Sequence, residues 1–246
     1  VLVLIHGFMS DLRVWSYYVF SYMREIRVIT IDLLGHGQSE WFENTPSTME
    51  LQAQAVKTVL DHLNIKECVM VGHSMGGYVS LAFAEAYPQY IKGLCLLHSH
   101  ALADSNNVKE KRELTCNIIN QNRASFIINF IPNLFAPANH DKFYYEIKDL
   151  QDSALESKAD GLILAQKGIA TRTSKIELLK TINSPVLFII GKQDSRIQLD
   201  MSIAQASFPK HSELLILENV GHMGHIESRD IIKRRLLSFT YSCFAL

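Results

Sequence analysis

The chain lacks an excess of charge of either sign. Lys+Arg number 24 and Asp+Glu 25, giving a formal net charge of −1 over 246 residues. With no basic tract to neutralise phosphates, nucleic acid is not an expected partner. Long apolar runs are also missing. None approaches the roughly 18 residues that a membrane helix needs, and Asn129 interrupts the greasiest short stretch, Phe126 to Ile131, so no membrane partner is expected. Cysteine is scarce. Cys68, Cys95, Cys116 and Cys243 show no CxxC or zinc-type spacing, which argues against a metal cluster. Cys68 and Cys95 fall in strand-like apolar runs and read as buried free thiols, pointing to a reducing, cytoplasmic setting. No signal peptide, internal repeat or low-complexity tract is visible. Val1 opens inside an apolar run without an initiator Met, so the chain is expected to lack its true N-terminus.

Hydrophobic residues make up 48% and charged residues 20%, which is ordinary globular usage and too apolar for disorder. Six short apolar runs read as strands: Val1–Ile5, Ile26–Ile31, Cys68–Gly72, Gly93–His98, Val186–Gly191 and Glu213–Leu217. They are continuous rather than alternating, which suits parallel strands covered on both faces. Helical patterns lie between them. Thr48–Leu63 carries one apolar stripe, and Ser47 with Glu50 suggests a capping box at its start. A second helix is expected from Met75 to Tyr87, stopped by Pro88. Repeated β-α units imply an α/β fold with a doubly wound, mostly parallel sheet.

The alternation breaks between residues 101 and 181. Helix-like pieces occur there, around Val108–Phe130, Asp141–Leu150, Ser153–Gly168 and Ser174–Thr181, and no convincing strand. The division expected is a body of residues 1–100 and 182–246 with an inserted helical cap of residues 101–181. Such a cap covers the carboxyl ends of the strands, where open α/β sheets hold ligands. Its aromatics include Phe126 and Phe130.

The strongest chemical signal is Gly72-His73-Ser74-Met75-Gly76-Gly77, which follows a strand and opens a helix. This is the G-x-S-x-G nucleophile elbow. The turn is sharp enough to need glycines around Ser74, and the helix N-terminus behind it faces developing negative charge. His6-Gly7-Phe8 follows the first strand. The amides of Phe8 and Met75 are the candidate oxyanion-hole donors. Asp194 follows the strand Val186–Gly191, and His222 lies just past Glu213–Leu217. The order Ser74, Asp194, His222 is the chain order of a hydrolase triad, each member at the carboxyl end of an expected strand.

With these residues in view, the chain resembles the α/β-hydrolase fold superfamily, in its serine-nucleophile esterase or C–C hydrolase branch with a helical cap. Asp32-Leu33-Leu34-Gly35-His36-Gly37-Gln38-Ser39 resembles the family's D-x-x-G-x-G-x-S loop. A nucleotide fingerprint is rejected there, because the third glycine and the helix are missing. The resemblance implies eight strands, so two N-terminal strands are expected to be missing from the six seen. It favours His222 over His225 through Gly221-His222, and Asp194 over Asp200. Gln198 departs from the Pro that many relatives carry four residues after the acid. His222-x-x-His225 has no third ligand at a suitable spacing, so no metal is expected, and no cofactor either. His36 and His73 are expected to shape loops near the site.

The resemblance implies covalent catalysis on a small or medium ester by a monomer or homodimer. His222 serves as base, Asp194 orients it, and Ser74 attacks the carbonyl. C–C bond hydrolysis, lactone or thioester cleavage, and a small-molecule receptor role remain open alternatives. Expected pocket residues are His98, Phe126, Phe130 and Tyr78. Tyr78 stands where relatives similar to the menaquinone-pathway member carry Arg, which argues against a dicarboxylate substrate. Arg112 and Arg123 of the cap are still candidates to bind a carboxylate, although they read by default as helix-surface charges.

Overall fold

The computed structural model describes residues 1–41, 45 and 47–245. Its strands are β1 (Leu2–Ile5), β2 (Val28–Ile31), β3 (Cys68–His73), β4 (Ile91–Leu97), β5 (Val186–Gly191) and β6 (Ser212–Leu217). They form one sheet in the order β2-β1-β3-β4-β5-β6, parallel throughout. The helices are α1 (Ser16–Tyr22), α2 (Met49–His62), α3 (Met75–Ala86), α4 (Asn106–Phe130) and α5 (Tyr144–Glu156). They continue with α6 (Ala159–Thr171), α7 (Ile176–Thr181), α8 (Leu199–Ala206), α9 (Gly224–Glu227) and α10 (Arg229–Ala245). The strand expectations hold to within two residues at each end.

The inner strands β1, β3, β4 and β5 read as continuous apolar runs because both of their faces are buried, while the edge strands β2 and β6 are only partly covered. Val3, Ile5 and Met70 point to one layer, with Val56 and Leu60 of α2 and Val79 and Phe83 of α3. Leu2, Leu4, Val69 and Val71 point to the other, with Trp15, Tyr18 and Tyr22 around α1 and with Leu236 and Phe239 of α10. Side chains alternate across a strand, so a fully covered strand needs apolar residues at every position. The chain order reverses between β1 and β3, which sit side by side. That is the switch point at which an open parallel sheet leaves a crevice beyond its carboxyl ends.

A third apolar cluster joins Ile119, Ile127, Phe143, Ile147 and Leu162 of the helical stretch between β4 and β5 to Met9, Met223 and Ile226 of the strand-end loops. α7 behaves differently, since Leu179 packs in the cluster that holds β1 and β3.

Three local expectations need correcting. The cap of α2 is Thr48, whose Oγ1 accepts from Leu51 N at 3.1 Å. Ser47 instead donates to the Leu164 carbonyl, and Glu50 takes Lys175 Nζ at 3.2 Å. The helix expected over 108–130 is broken at Asn122 (φ −154°, ψ 76°). There the Asn122 Oδ1 accepts from Ser125 N at 3.0 Å and restarts the helix. Finally, α5 runs on to Glu156, so the break before α6 falls several residues later than the pattern suggested.

Candidate active site

β3 delivers Ser74 at the sheet edge, and α3 begins at the next residue. Ser74 is held at φ 52°, ψ −116°, a left-handed region that costs a non-glycine residue about 1–3 kcal/mol. The neighbours make the turn possible. A Cβ on Gly72 would lie 2.3 Å from the Gly76 carbonyl oxygen, and one on Gly76 would lie 2.5 Å from that of Ile5. Side chains at either place would push the strand and helix apart. The strained backbone is fixed at both ends: Ser74 N donates to the Leu97 carbonyl at 3.0 Å, and Ser99 Oγ donates to the Ser74 carbonyl at 2.8 Å.

His222 comes from the loop after β6. Its Nε2 lies 2.9 Å from Ser74 Oγ, and its Nδ1 lies 3.0 and 2.9 Å from the two oxygens of Asp194. The structure therefore brings Ser74, His222 and Asp194 into one hydrogen-bonded line. Asp194 Oδ1 also accepts from the amides of Arg196 and Ile197 at 2.8 and 2.9 Å. Its Oδ2 meets a second imidazole, His98 Nδ1, at 2.9 Å. Burial pushes the Asp194 carboxyl upward. The charge of His222 and the hydrogen bonds from His222 and His98 outweigh it and hold the group well below the usual carboxylate range. Ionised, it accepts from all four donors.

Three further imidazoles gather here: the rings of His73 and His98 lie against His222 and against each other, and the ring of His225 packs on His73. His73 Nε2 is 2.9 Å from the His222 carbonyl. Burial, with like-charge repulsion inside the group, lowers the pKa of all three, so they are neutral at pH 7. The ligand atoms of His98, Asp194 and His222 lie within 4.8 Å of one another. They form a hydrogen-bonded trio, since both Nδ1 atoms are spent on the carboxylate. The free cysteines take no part. Burial pushes Cys68 up to about 12 and Cys243 up to about 11.

The candidate oxyanion donors flank the serine. Met75 is the first residue of α3, and an added Cβ on Gly7, next to Phe8, would lie 3.3 Å from Ser74 Cβ. Neither the Phe8 nor the Met75 amide has a hydrogen-bond acceptor among the described residues.

Ser74 and His222 open into a cavity of about 590 Å³. Its walls include Phe8, Tyr78, His100, Phe130, Arg112 and Arg196. Of the four residues expected to line the pocket, Tyr78 and Phe130 are on this wall, and His98 and Phe126 are not. His98 is fully buried behind Asp194, because β4 pairs with β5 and its end meets the loop that carries the acid. His100, two residues further on, reaches the cavity in its place. Phe126 stacks on Phe130 at 5.1 Å, behind the wall. Arg123 is also remote, donating to the Ser157 carbonyl. Sequence reasoning missed the bond from His98 to Asp194 and the place of Arg196. The signals available were a polar residue ending a buried strand and a cation two residues past the acid.

A family model described as alpha/beta hydrolase fold matches residues 1–228. A dihydrolipoyllysine-residue acetyltransferase component of the acetoin cleaving system of Pseudomonas putida is 30% identical over 240 residues, 97% of this chain. The chain spans only 62% of that relative's length. A 2-hydroxy-6-oxononadienedioate/2-hydroxy-6-oxononatrienedioate hydrolase of Escherichia coli is 25% identical over 256 residues, covering 96% of this chain and 85% of the relative. Among solved structures, a thermophilic esterase from Thermogutta terrifontis, with malate bound, superposes with a TM-score of 0.93 at 27% identity. That match covers 98% of this chain and 89% of the esterase.

Proposed function

The chain belongs to the alpha/beta hydrolase fold family, and on that premise we propose that it is a serine hydrolase cleaving a small or medium carboxylic ester through an acyl-enzyme on Ser74. The observation that carries this reading is the line Ser74 Oγ, His222 Nε2 at 2.9 Å, and His222 Nδ1 against Asp194 at 2.9 Å.

His222 Nε2 takes the hydroxyl proton as Ser74 Oγ attacks the substrate carbonyl carbon. Asp194 holds the imidazole in the tautomer that leaves Nε2 free and stabilises the imidazolium that forms. The carbonyl oxygen becomes an oxyanion, met by the amides of Phe8 and Met75 and by the positive end of α3. One such donor is worth about 3 kcal/mol. His222 then returns the proton to the leaving alcohol. Water, deprotonated by the same imidazole, attacks the acyl-enzyme and frees the acid. Residues 101–181 act as the cap that shapes the substrate cavity, and residues 1–100 with 182–246 act as the body that carries the chemistry.

A fluorophosphonate probe is expected to label the wild-type protein on Ser74 and to leave Ser74→Ala unlabelled. Turnover of 4-nitrophenyl butyrate should fall on the order of 10⁶-fold in that variant if the three residues act as a unit. A loss of less than about tenfold would rule out Ser74 as nucleophile. The same line of residues also serves C–C bond hydrolysis, the activity named for the Escherichia coli relative at 25% identity. A vinylogous diketone in the substrate panel separates the two. A receptor, by contrast, would react once per chain rather than cycle.

A further inference from the structure

The cavity next to Ser74 carries more positive charge than its own acids neutralise. Arg112 lines it and is committed: its guanidinium pairs with Asp104 and donates to Gln166 Oε1 at 3.0 Å. Asp104 is shared with a second guanidinium, Arg172 Nη2 at 2.8 Å, which lies over the Tyr78 ring at 4.0 Å. One carboxylate thus serves two cations. Two further cations on the wall, Lys111 and Arg196, have no carboxylate partner among the described residues. His100 adds no charge at pH 7, because burial, with Arg172 nearby, pushes it down to about 3.

Arg196 is the better placed of the two. Its backbone amide is tied to Asp194 Oδ1 at 2.8 Å, so the loop that sets the triad acid also sets this residue. Its guanidinium lies over the Phe130 ring at 4.2 Å. Phe130 in turn meets Phe8, whose amide is a candidate oxyanion donor, with ring centroids 6.4 Å apart. A cation therefore sits at the mouth of the site, on an aromatic wall that continues to the reacting centre. The residue is exposed, yet enough protein surrounds the guanidinium for desolvation to lower it from its ordinary value, against the opposing charge of Asp194 and with a smaller repulsion from Arg112. Arg196 lines the cavity, and its fork of side-chain N–H groups has no acceptor among the described residues. A planar anion satisfies such a fork in bidentate fashion.

We propose that the preferred substrate is an ester bearing a carboxylate at the end of a short apolar chain, with Arg196 as the group that binds that carboxylate. The chain lies against Phe130 and Phe8, and the ester carbonyl reaches Ser74. Lys111 and Arg112 keep the rest of the wall positive, and this favours entry of anions. Tyr78 pointed away from a carboxylate at the sequence level. The fold supplies a cation to this wall from another segment, Arg196 of the acid loop, while Arg172 lies over the Tyr78 ring without lining the cavity.

This inference rests on the serine-hydrolase reading, and the experiment separates the two. Mono-4-nitrophenyl adipate and 4-nitrophenyl hexanoate have the same chain length and differ by one terminal carboxylate. The wild type should favour the adipate ester in kcat/KM. The adipate-to-hexanoate ratio should fall about tenfold or more in Arg196→Ala, recover in part in Arg196→Lys, and fall furthest in Arg196→Glu. Raising the salt concentration should raise KM for the adipate ester and leave that for hexanoate unchanged. Binding is read separately on Ser74→Ala, by calorimetry with monomethyl adipate against methyl hexanoate. The adipate preference should be present there and absent from Ser74→Ala/Arg196→Ala. A ratio that ignores residue 196, while both esters turn over, overturns the carboxylate site and leaves the hydrolase reading standing. An adipate preference in binding that depends on residue 196, in a wild-type protein with no turnover, keeps the carboxylate site and removes the hydrolase reading.

Discussion

On the proposed serine-hydrolase reading, Asp194 orients the imidazole of His222, and a carboxylate in that role needs its remaining lone pairs occupied. Asp194 meets this need with two loop amides and His98 Nδ1 at 2.9 Å. On that reading His98 is a positioning residue, since it touches the acid and lies off the cavity wall. Its backbone sits at φ 48°, where Asn is well tolerated and a bulkier apolar residue is strained. Asn also keeps an N–H close to the place of Nδ1. His98→Asn should therefore retain most of kcat. His98→Leu should lose about 10- to 100-fold, the value of one hydrogen bond to a charged group. Equal kcat in the two variants, measured on 4-nitrophenyl butyrate, would remove His98 from this role. Ser74, Asp194 and His222 were legible from the sequence because the elbow and the order of loops are local features of the chain. The bond from His98 was not, because it depends on which strands become neighbours. A histidine at the end of a buried strand reads equally well as a pocket residue or as a packed terminus, and only the β4–β5 pairing decides.

Elements meet at Glu227, at the end of α9. Its Oε1 accepts from Gly221 N at 3.0 Å, and its Oε2 accepts from Ala136 N at 2.9 Å and from Asn139 Nδ2 at 2.7 Å. Beside it, His222 N donates to the Leu134 carbonyl at 2.6 Å. The histidine loop and the helical stretch between β4 and β5 are thus joined through one buried carboxylate and one backbone bond. Glu227→Gln replaces an acceptor by an amide that faces an N–H. It should destabilise by about 1–3 kcal/mol, lowering Tm by several degrees in a chain of this size. It should also lower kcat, because Gly221 precedes His222. A melting curve that superposes on the wild type would exclude Glu227 from this junction. At this scale the strands were readable and the helices less so. Strands buried on both faces write an apolar residue at nearly every position. α1, α8, α9 and α10 were missed: α8 and α9 are short, and most of what α1 and α10 bury faces a sheet whose position no local pattern reports. α4 was read as one helix because Asn122 lies inside an otherwise helical stretch, and its break is a matter of side-chain capping.

Across the whole molecule, histidine is the residue that burial treats most unusually. Burial is the leading cause that lowers His6 to about 4, His36 to about 3 and His100 to about 3. His73, His98 and His225 are lowered for the same reason. In the unfolded chain each returns to about 6.5. Below that pH the unfolded state binds protons that the folded state refuses, so acid favours unfolding. The contribution of these groups is complete above about pH 6.5 and is lost as pH falls from there toward 4. Each histidine adds up to about 1.4 kcal/mol per pH unit within its window. A domain stable by about 5–15 kcal/mol cannot meet several such demands for long. Asp11, held down to about 2, and Asp194 act with the same sign but only below the ordinary carboxylate range, so their loss comes later. Urea midpoints taken between pH 7.5 and pH 4.5 should therefore fall steeply, starting near pH 6.5, before any carboxylate titrates. A flat midpoint down to pH 4.5 would show that these imidazoles accept protons in place. The folded state that holds a neutral histidine cluster behind Ser74 would then not be the one that dominates in solution.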